Sequence, residues 1–112
     1  MNAEDTLNEC RDRIDDVDRR ILTLLNERTE IVTVIARVKA EAQLPVYEPK
    51  REEEVFRNIA NGNRGPLSND AAKRIFERII DEMRKFQRER MAQRGAKLGD
   101  PVGGKSGEGT AC

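Results

Sequence analysis

Histidine is absent from the 112 residues of this sequence. Its imidazole is the commonest general base near neutral pH and the commonest metal ligand in proteins. If the chain is an enzyme, its chemistry must therefore proceed without a histidine base and without a histidine-bound metal.

Cysteine and aromatic residues are scarce. The two cysteines, Cys10 and Cys112, lie far apart, which does not suit a disulfide framework and favours a reduced, cytoplasmic setting. Aromatic residues make up 4% of the chain and charged residues 38%, so little material is available for a large core. A domain of this composition must fold around a small core or together with a partner chain.

A net charge of either sign is also lacking, because 21 lysines and arginines balance 21 aspartates and glutamates. This balance gives no indication of a nucleic-acid or membrane surface. No apolar run approaches the roughly 18 residues that span a bilayer, and the N-terminus is acidic and polar, unlike a signal peptide. The sequence predicts a soluble cytoplasmic protein.

What the sequence has is helical periodicity. Positions 5–42 contain no glycine and no proline, and apolar residues recur there in steps of three and four. We predict one helix of this length, on the order of 55 Å, which exceeds what a domain of this size can cover and so needs a second chain. The apolar series comprises Leu7, Cys10, Ile14, Val17, Ile21, Leu24, Ile31, Ile35 and Val38.

Two shorter helices are predicted after a turn that contains Pro45 and Pro49. The second helix covers about Pro49 to Asn61, and the third begins at a Ser68 or Asn69 cap and runs to about Arg90. The fold class is therefore all-α. We predict a helical domain over residues 1–91 and a disordered, glycine-rich tail over residues 92–112.

Arg28 occupies the step of the apolar series between Leu24 and Ile31. Such a polar residue can set helix register, or it can meet an anion in a buried site. Lys39 lies eleven residues further on, within about 20° of the same direction and roughly 16 Å along the axis. The two cations suit a small dicarboxylate.

Three other polar residues can face the same interior. Gln87 continues the apolar series of the third helix, while Arg51 and Glu52 open the second helix after a tight turn. Singly, each can be structural, and Arg51 with Glu52 can be a surface pair worth under about 1 kcal/mol. Together with the two cations of the first helix, they favour a polar pocket inside an apolar bundle.

Arg11 lies 17 residues before Arg28, about 25 Å away along a straight helix. It cannot reach a ligand held between Arg28 and Lys39 of its own chain. In a two-fold dimer with antiparallel long helices, the partner subunit's Arg11 can arrive at that site. Taken alone, Arg11 is better explained as a solvated charge in the Arg11-Asp12-Arg13 cluster.

This ordered set of residues resembles the all-helical (type II) chorismate mutases over about residues 5–90. The N-G-N-R-G-P loop before the third helix resembles the version of this domain that is joined to other shikimate-pathway enzymes. The set comprises Arg11, the L-L-N-E-R segment ending at Arg28, Lys39, the Pro45-Val46 turn, Glu48, Arg51-Glu52 and Gln87.

The resemblance implies an intertwined homodimer, a six-helix bundle with two active sites that each draw on both chains. It also implies the Claisen rearrangement of chorismate to prephenate, on the route to phenylalanine and tyrosine. This isomerisation needs no nucleophile, metal or other cofactor, but only a folded dianionic substrate and stabilisation of charge on the breaking ether oxygen.

The resemblance also assigns roles. Arg28 and the partner subunit's Arg11 would bind the substrate carboxylates, with Arg51 in support. Lys39 and Gln87 would donate hydrogen bonds to the ether oxygen, and Glu52 would accept the ring hydroxyl near the backbone of Glu48.

Two positions depart from the family pattern. Met83 stands where a small hydroxyl residue usually helps to bind a carboxylate, and Glu48 stands where aspartate is common. Neither change removes the donors to the ether oxygen, so we expect activity with weaker substrate binding.

Two alternatives stay open. The first is an isochorismate pyruvate lyase on the same fold, and the second is a non-catalytic helical module that regulates or binds another enzyme of the aromatic pathway.

Overall fold

The computed structural model describes residues 2–97, with side chains up to residue 93. It contains three helices, α1 (Ala3–Ala42), α2 (Pro49–Gly62) and α3 (Asn69–Lys97), and no strand occurs between residues 2 and 97. None of these helices is long and apolar enough to cross a membrane. The all-α prediction of one long, one short and one medium helix is confirmed.

α1 is long because nothing in its sequence interrupts it and both of its ends are capped. At the start, Asp5 N–H donates to Asn2 Oδ1 at 2.8 Å. At the end, Gln43 takes a left-handed conformation with φ 58°, and Leu44 N–H donates to Lys39 O at 2.8 Å. Pro45 follows and cannot continue the helix, so the chain turns away after Ala42.

Two side chains fix the loop between α2 and α3. Asn63 Nδ2 donates to Leu67 O at 2.8 Å and to Asn69 Oδ1 at 2.7 Å, which closes the loop on itself. Ser68 Oγ accepts a hydrogen bond from Ala71 N–H at 3.0 Å and caps α3, as the sequence predicts. Gly65 has φ +75°, a value that glycine adopts without strain.

α3 continues beyond its predicted end, to Lys97 instead of about Arg90. The prediction ended the helix before the glycine-rich segment, although a single glycine such as Gly95 costs only about 1 kcal/mol in a helix. Residues 98–112, the rest of the predicted tail, lie outside the described residues. The division into a domain of residues 1–91 and a tail of residues 92–112 stays a prediction, and α3 runs across that boundary.

The chain divides into two compact units, residues up to Ile31 and residues from Val32 onward, and α1 contributes to both. In the first unit, every described residue from 2 to 24 is exposed, including the apolar series. In the second unit, α2 packs against α3. The buried apolar residues are Val32 and Ala36 of α1 and Ala72, Ile80 and Met83 of α3.

Candidate active site

Lys39 is buried in the second unit, with 6% of its surface exposed. Its Nζ lies 2.8 Å from Glu48 Oε1 in an ion pair. It also donates to Val46 O at 2.9 Å and to Gln87 Oε1 at 3.1 Å. Because an ammonium group has three N–H donors, these three oxygens satisfy it completely and offset the free-energy cost of burying its charge.

The turn after α1 brings two of these oxygens to the lysine. The left-handed residue at position 43 reverses the chain, so Val46 and Glu48 return over the last turn of α1. Pro49 then opens α2 at its first position, which places Glu48 at the helix boundary. The family-like turn therefore has a physical role, which is to surround the ammonium group of Lys39.

Gln87 comes from α3, with 8% of its surface exposed. Its amide orientation follows from chemistry, because lysine can only donate and the Gln87 oxygen must therefore face Nζ. The amide nitrogen is then the atom of Gln87 that can donate. The structure thus brings Lys39 and Gln87 together in one buried polar cluster.

A second ion pair joins α2 to α3. Glu52 Oε2 lies 3.1 Å from Arg84 Nε, and the two side chains are only 20% and 17% exposed. The Arg84 guanidinium also pairs with Asp81 and lies over the ring of Tyr47, 5.4 Å from the centroid. Sequence reasoning missed Arg84, because an arginine beside the apolar series of α3 looks like a solvated charge.

Arg51 lies outside this arrangement. Its side chain is 60% exposed and pairs with Glu54 at 3.1 Å. The suggested surface pair of Arg51 and Glu52 is therefore wrong, since neighbours in a helix do not face each other and each residue has another partner. Met83 is buried in α3, four residues before Gln87.

Arg11 and Arg28 belong to the first unit. Arg11 is exposed, and its Nη1 donates to Asn8 Oδ1 at 3.5 Å. Arg28 is half-buried. The two lie 17 residues apart on one helix, hence about 25 Å along its axis. One chain therefore cannot bring both side chains to one small ligand.

An open groove of about 290 Å³ lies between α2 and α3. Neither Lys39 nor Gln87 contributes to it, and its three carboxylates outnumber its single cation, so it does not suit a dianionic ligand. No group of acidic or cysteine residues in the described part of the chain could hold a metal ion. The groove is lined by Glu52, Phe56, Glu77, Ile80, Asp81 and Arg84.

The Lys39 cluster can hold and stabilise negative charge on an oxygen atom. It contains an amide donor and an ammonium group whose Glu48 partner is half-exposed and can be displaced by an anion. In a buried environment such interactions are stronger than in water. Its oxygens belong to a carbonyl, an amide and a carboxylate that is already paired with the ammonium group. The arrangement suits electrostatic stabilisation better than nucleophilic catalysis.

Comparisons with known proteins agree with this chemistry. The family model for chorismate mutase type II matches residues 10–88. The bifunctional chorismate mutase/prephenate dehydratase of Pseudomonas aeruginosa is 39% identical over 85 residues, which is 71% of this chain and 23% of the relative. The T-protein of Haemophilus influenzae is 33% identical over 92 residues, or 82% of this chain and 23% of the relative.

Smaller relatives match over most of their own length. The chorismate mutase of Methanocaldococcus jannaschii is 26% identical over 84 residues, which is 74% of this chain and 85% of the relative. The structure of chorismate mutase (form II) from Thermus thermophilus superposes with a TM-score of 0.72 and 34% identity. That match covers 73% of this chain and 93% of the other. By contrast, the chain spans about a quarter of the bifunctional relatives.

Proposed function

Because this chain belongs to the type II chorismate mutase family, we propose that it catalyses the Claisen rearrangement of chorismate to prephenate. The observation that carries the proposal is the buried cluster in which Lys39 Nζ contacts Gln87 Oε1. The Gln87 amide nitrogen can donate, and the ammonium group can donate once the half-exposed Glu48 carboxylate leaves it. Such a pair suits an ether oxygen that gains negative charge as its bond to carbon breaks.

Lys39 supplies the charge that matters most in the transition state. As the ether bond breaks, its oxygen becomes more negative, so the attraction to Nζ grows along the reaction. Gln87 donates a second hydrogen bond from its amide nitrogen. Glu52 accepts the ring hydroxyl, near the backbone of Glu48. No proton is transferred and no covalent intermediate forms, which is compatible with a chain that lacks histidine.

The substrate carboxylates are assigned to arginines on the strength of the family resemblance. Arg28 binds one carboxylate in a charge-assisted bond, and the partner subunit's Arg11 binds the other. Arg51 supports the carboxylate end, and this role requires its exposed side chain to leave Glu54. Met83 offers no hydrogen bond to a carboxylate, so we expect weaker substrate binding than a hydroxyl residue would give there.

The proposed working form is an intertwined homodimer, a bundle of six helices. Its support is the first unit, where five apolar residues of the α1 series are between 43% and 61% exposed. An apolar stripe of this length marks an interaction surface. Arg11 and Arg28 lie too far apart along one helix to bind the same small ligand, which is a second reason to propose a partner chain. The five residues are Leu7, Ile14, Val17, Ile21 and Leu24.

A further partner in this proposal is another enzyme of aromatic amino acid biosynthesis. Several relatives bear names that join chorismate mutase to prephenate dehydratase in one protein. A cytoplasmic location fits the proposal, since Cys10 is a free thiol on the exposed face of α1.

The test is direct incubation of the purified protein with chorismate and, separately, with isochorismate. Formation of prephenate from chorismate supports the proposal. Salicylate and pyruvate from isochorismate, with no prephenate from chorismate, would assign the lyase activity instead. No turnover of either compound, together with an Arg28→Ala variant of unchanged or higher stability, would favour the non-catalytic module, in which a charge on the apolar series serves no ligand.

A further inference from the structure

We propose that Arg84 is a positioning residue, which holds the Glu52 carboxylate oriented as the acceptor for the substrate hydroxyl. This inference rests on the proposed function and extends it to a residue outside the family-like set. Its first support is burial. Glu52 is 20% exposed and Arg84 is 17% exposed, so their ion pair offsets part of the free-energy cost of removing two charges from water.

Arg84 is itself held from three sides. Besides Glu52, it pairs with Asp81 on its own helix, and its guanidinium lies 5.4 Å from the ring centroid of Tyr47. The guanidinium therefore has a defined location between α2, α3 and the turn after α1. A cation fixed in this way can define the location of the carboxylate that it contacts.

The Lys39–Glu48 and Arg84–Glu52 ion pairs both involve the short segment between α1 and α2. Val46 and Glu48 contact Lys39, and Tyr47 between them contacts Arg84. On α3, Arg84 and Gln87 are three residues apart, about 4.5 Å along the axis and on neighbouring directions of the helix. The contact between Glu52 and Arg84 thus lies one helical turn from the proposed donors to the ether oxygen.

The contact between Arg84 and Glu52 is an ion pair without a well-aligned hydrogen bond. Arg84 Nε lies 3.1 Å from Glu52 Oε2, yet this buried nitrogen has no hydrogen bond of good geometry. A lysine at position 84 keeps the charge near Glu52 but loses the planar fork, so it tests whether charge alone holds the carboxylate. The substitution Arg84→Lys therefore distinguishes a requirement for positive charge at position 84 from a requirement for the guanidinium group.

A double-mutant cycle tests the inference through steady-state kinetics with chorismate. Loss of one charge-assisted contact predicts that Arg84→Gln lowers kcat/KM by about tenfold to a hundredfold. In a Glu52→Gln background, the same change should alter kcat/KM by less than about twofold, because the carboxylate on which Arg84 acts is gone. Independent, multiplicative effects in the double variant would overturn the inference, as would unchanged kinetics of Arg84→Gln.

Arg84→Lys and Arg78→Gln complete the design. The kcat/KM of Arg84→Lys should stay within about threefold of the wild-type value. A tenfold or larger loss in a folded Arg84→Lys protein would overturn the inference. This second variant keeps the test decisive even if Arg84→Gln does not fold. Arg78 is the matched control, since it also lies on α3 but is 76% exposed and pairs with Glu82. Arg78→Gln should leave the kinetics unchanged, and a loss equal to that of Arg84→Gln would refute a specific role.

The outcomes separate this inference from the proposed function. A wild-type protein that does not convert chorismate overturns the proposed function, and the inference with it. A wild-type protein that converts chorismate, with Arg84 variants of equal activity, overturns the inference alone. Circular dichroism melts of each variant show whether a kinetic loss has its origin in unfolding.

Discussion

Lys39 and Gln87 are separated by 48 residues in the sequence, and Lys39 Nζ lies 3.1 Å from Gln87 Oε1 in the buried part of the second unit. The contact joins the last turn of α1 to α3. Because lysine has no acceptor, it also fixes the glutamine amide with its nitrogen available as a donor. The proposed chemistry depends on this arrangement of two donors from different helices.

Lys39→Ala removes the charge that the proposal places at the ether oxygen. We expect kcat to fall by at least about three powers of ten, at about 1.4 kcal/mol for each, because this interaction strengthens toward the transition state. Initial rates of chorismate loss provide the measurement, with circular dichroism as the check on folding. Arg37→Ala is the control, since Arg37 is exposed on the same helix. A folded Lys39→Ala protein with more than about a tenth of wild-type kcat would contradict the role.

The pH dependence follows from the chemistry of the side chains. Histidine is absent, and the Gln87 amide does not titrate. We therefore expect kcat to be flat between about pH 6 and pH 9. A steep acid optimum in a stopped or continuous assay would argue against the role assigned to Gln87.

Glu48→Gln tests whether the Glu48 carboxylate competes with the substrate for Lys39. The carboxylate lies 2.8 Å from Nζ although its side chain is 51% exposed, so it can leave when a dianion arrives. Neutralising it should lower KM by roughly twofold to tenfold with little change in kcat, since one repulsive charge disappears.

Glu82→Gln is the control for this substitution. Glu82 is 50% exposed, and it pairs with Arg78 rather than with Lys39. Its removal should leave KM unchanged within about twofold. A rise in KM for Glu48→Gln would mean that the Glu48 side chain binds substrate directly, contrary to the backbone role proposed for this residue.

The helices could be predicted from the sequence because their limits depend on local chemistry. Absence of glycine and proline, the Pro49 start and the Ser68 cap are all properties of short segments. The end of α3 could not be placed, since a single glycine near position 95 weakens a helix without ending it. Where the residues that end a helix are absent or weak, the sequence does not determine the helix boundary.

The site was predictable only in part. Lys39 points in nearly the same direction as Arg28, and Gln87 continues the apolar series of α3. Because buried polar groups must find partners, their convergence could be predicted. Arg84 lies one step off the apolar series beside Met83 and resembles a solvated charge. Its contact with Glu52 bridges 32 positions of the sequence, and periodicity within one helix carries no information about such a pair.

The central claim is an active site built from two chains, and a subunit-exchange experiment tests it most directly. Arg11→Ala and Arg28→Ala proteins, each nearly inactive, are mixed under conditions that exchange subunits, and chorismate conversion is then measured. In a random mixture half of the dimers are heterodimers, each with one intact site, so we expect recovery of up to about a quarter of wild-type activity. No recovery, with exchange demonstrated by mass spectrometry of differently tagged chains, would contradict the shared site.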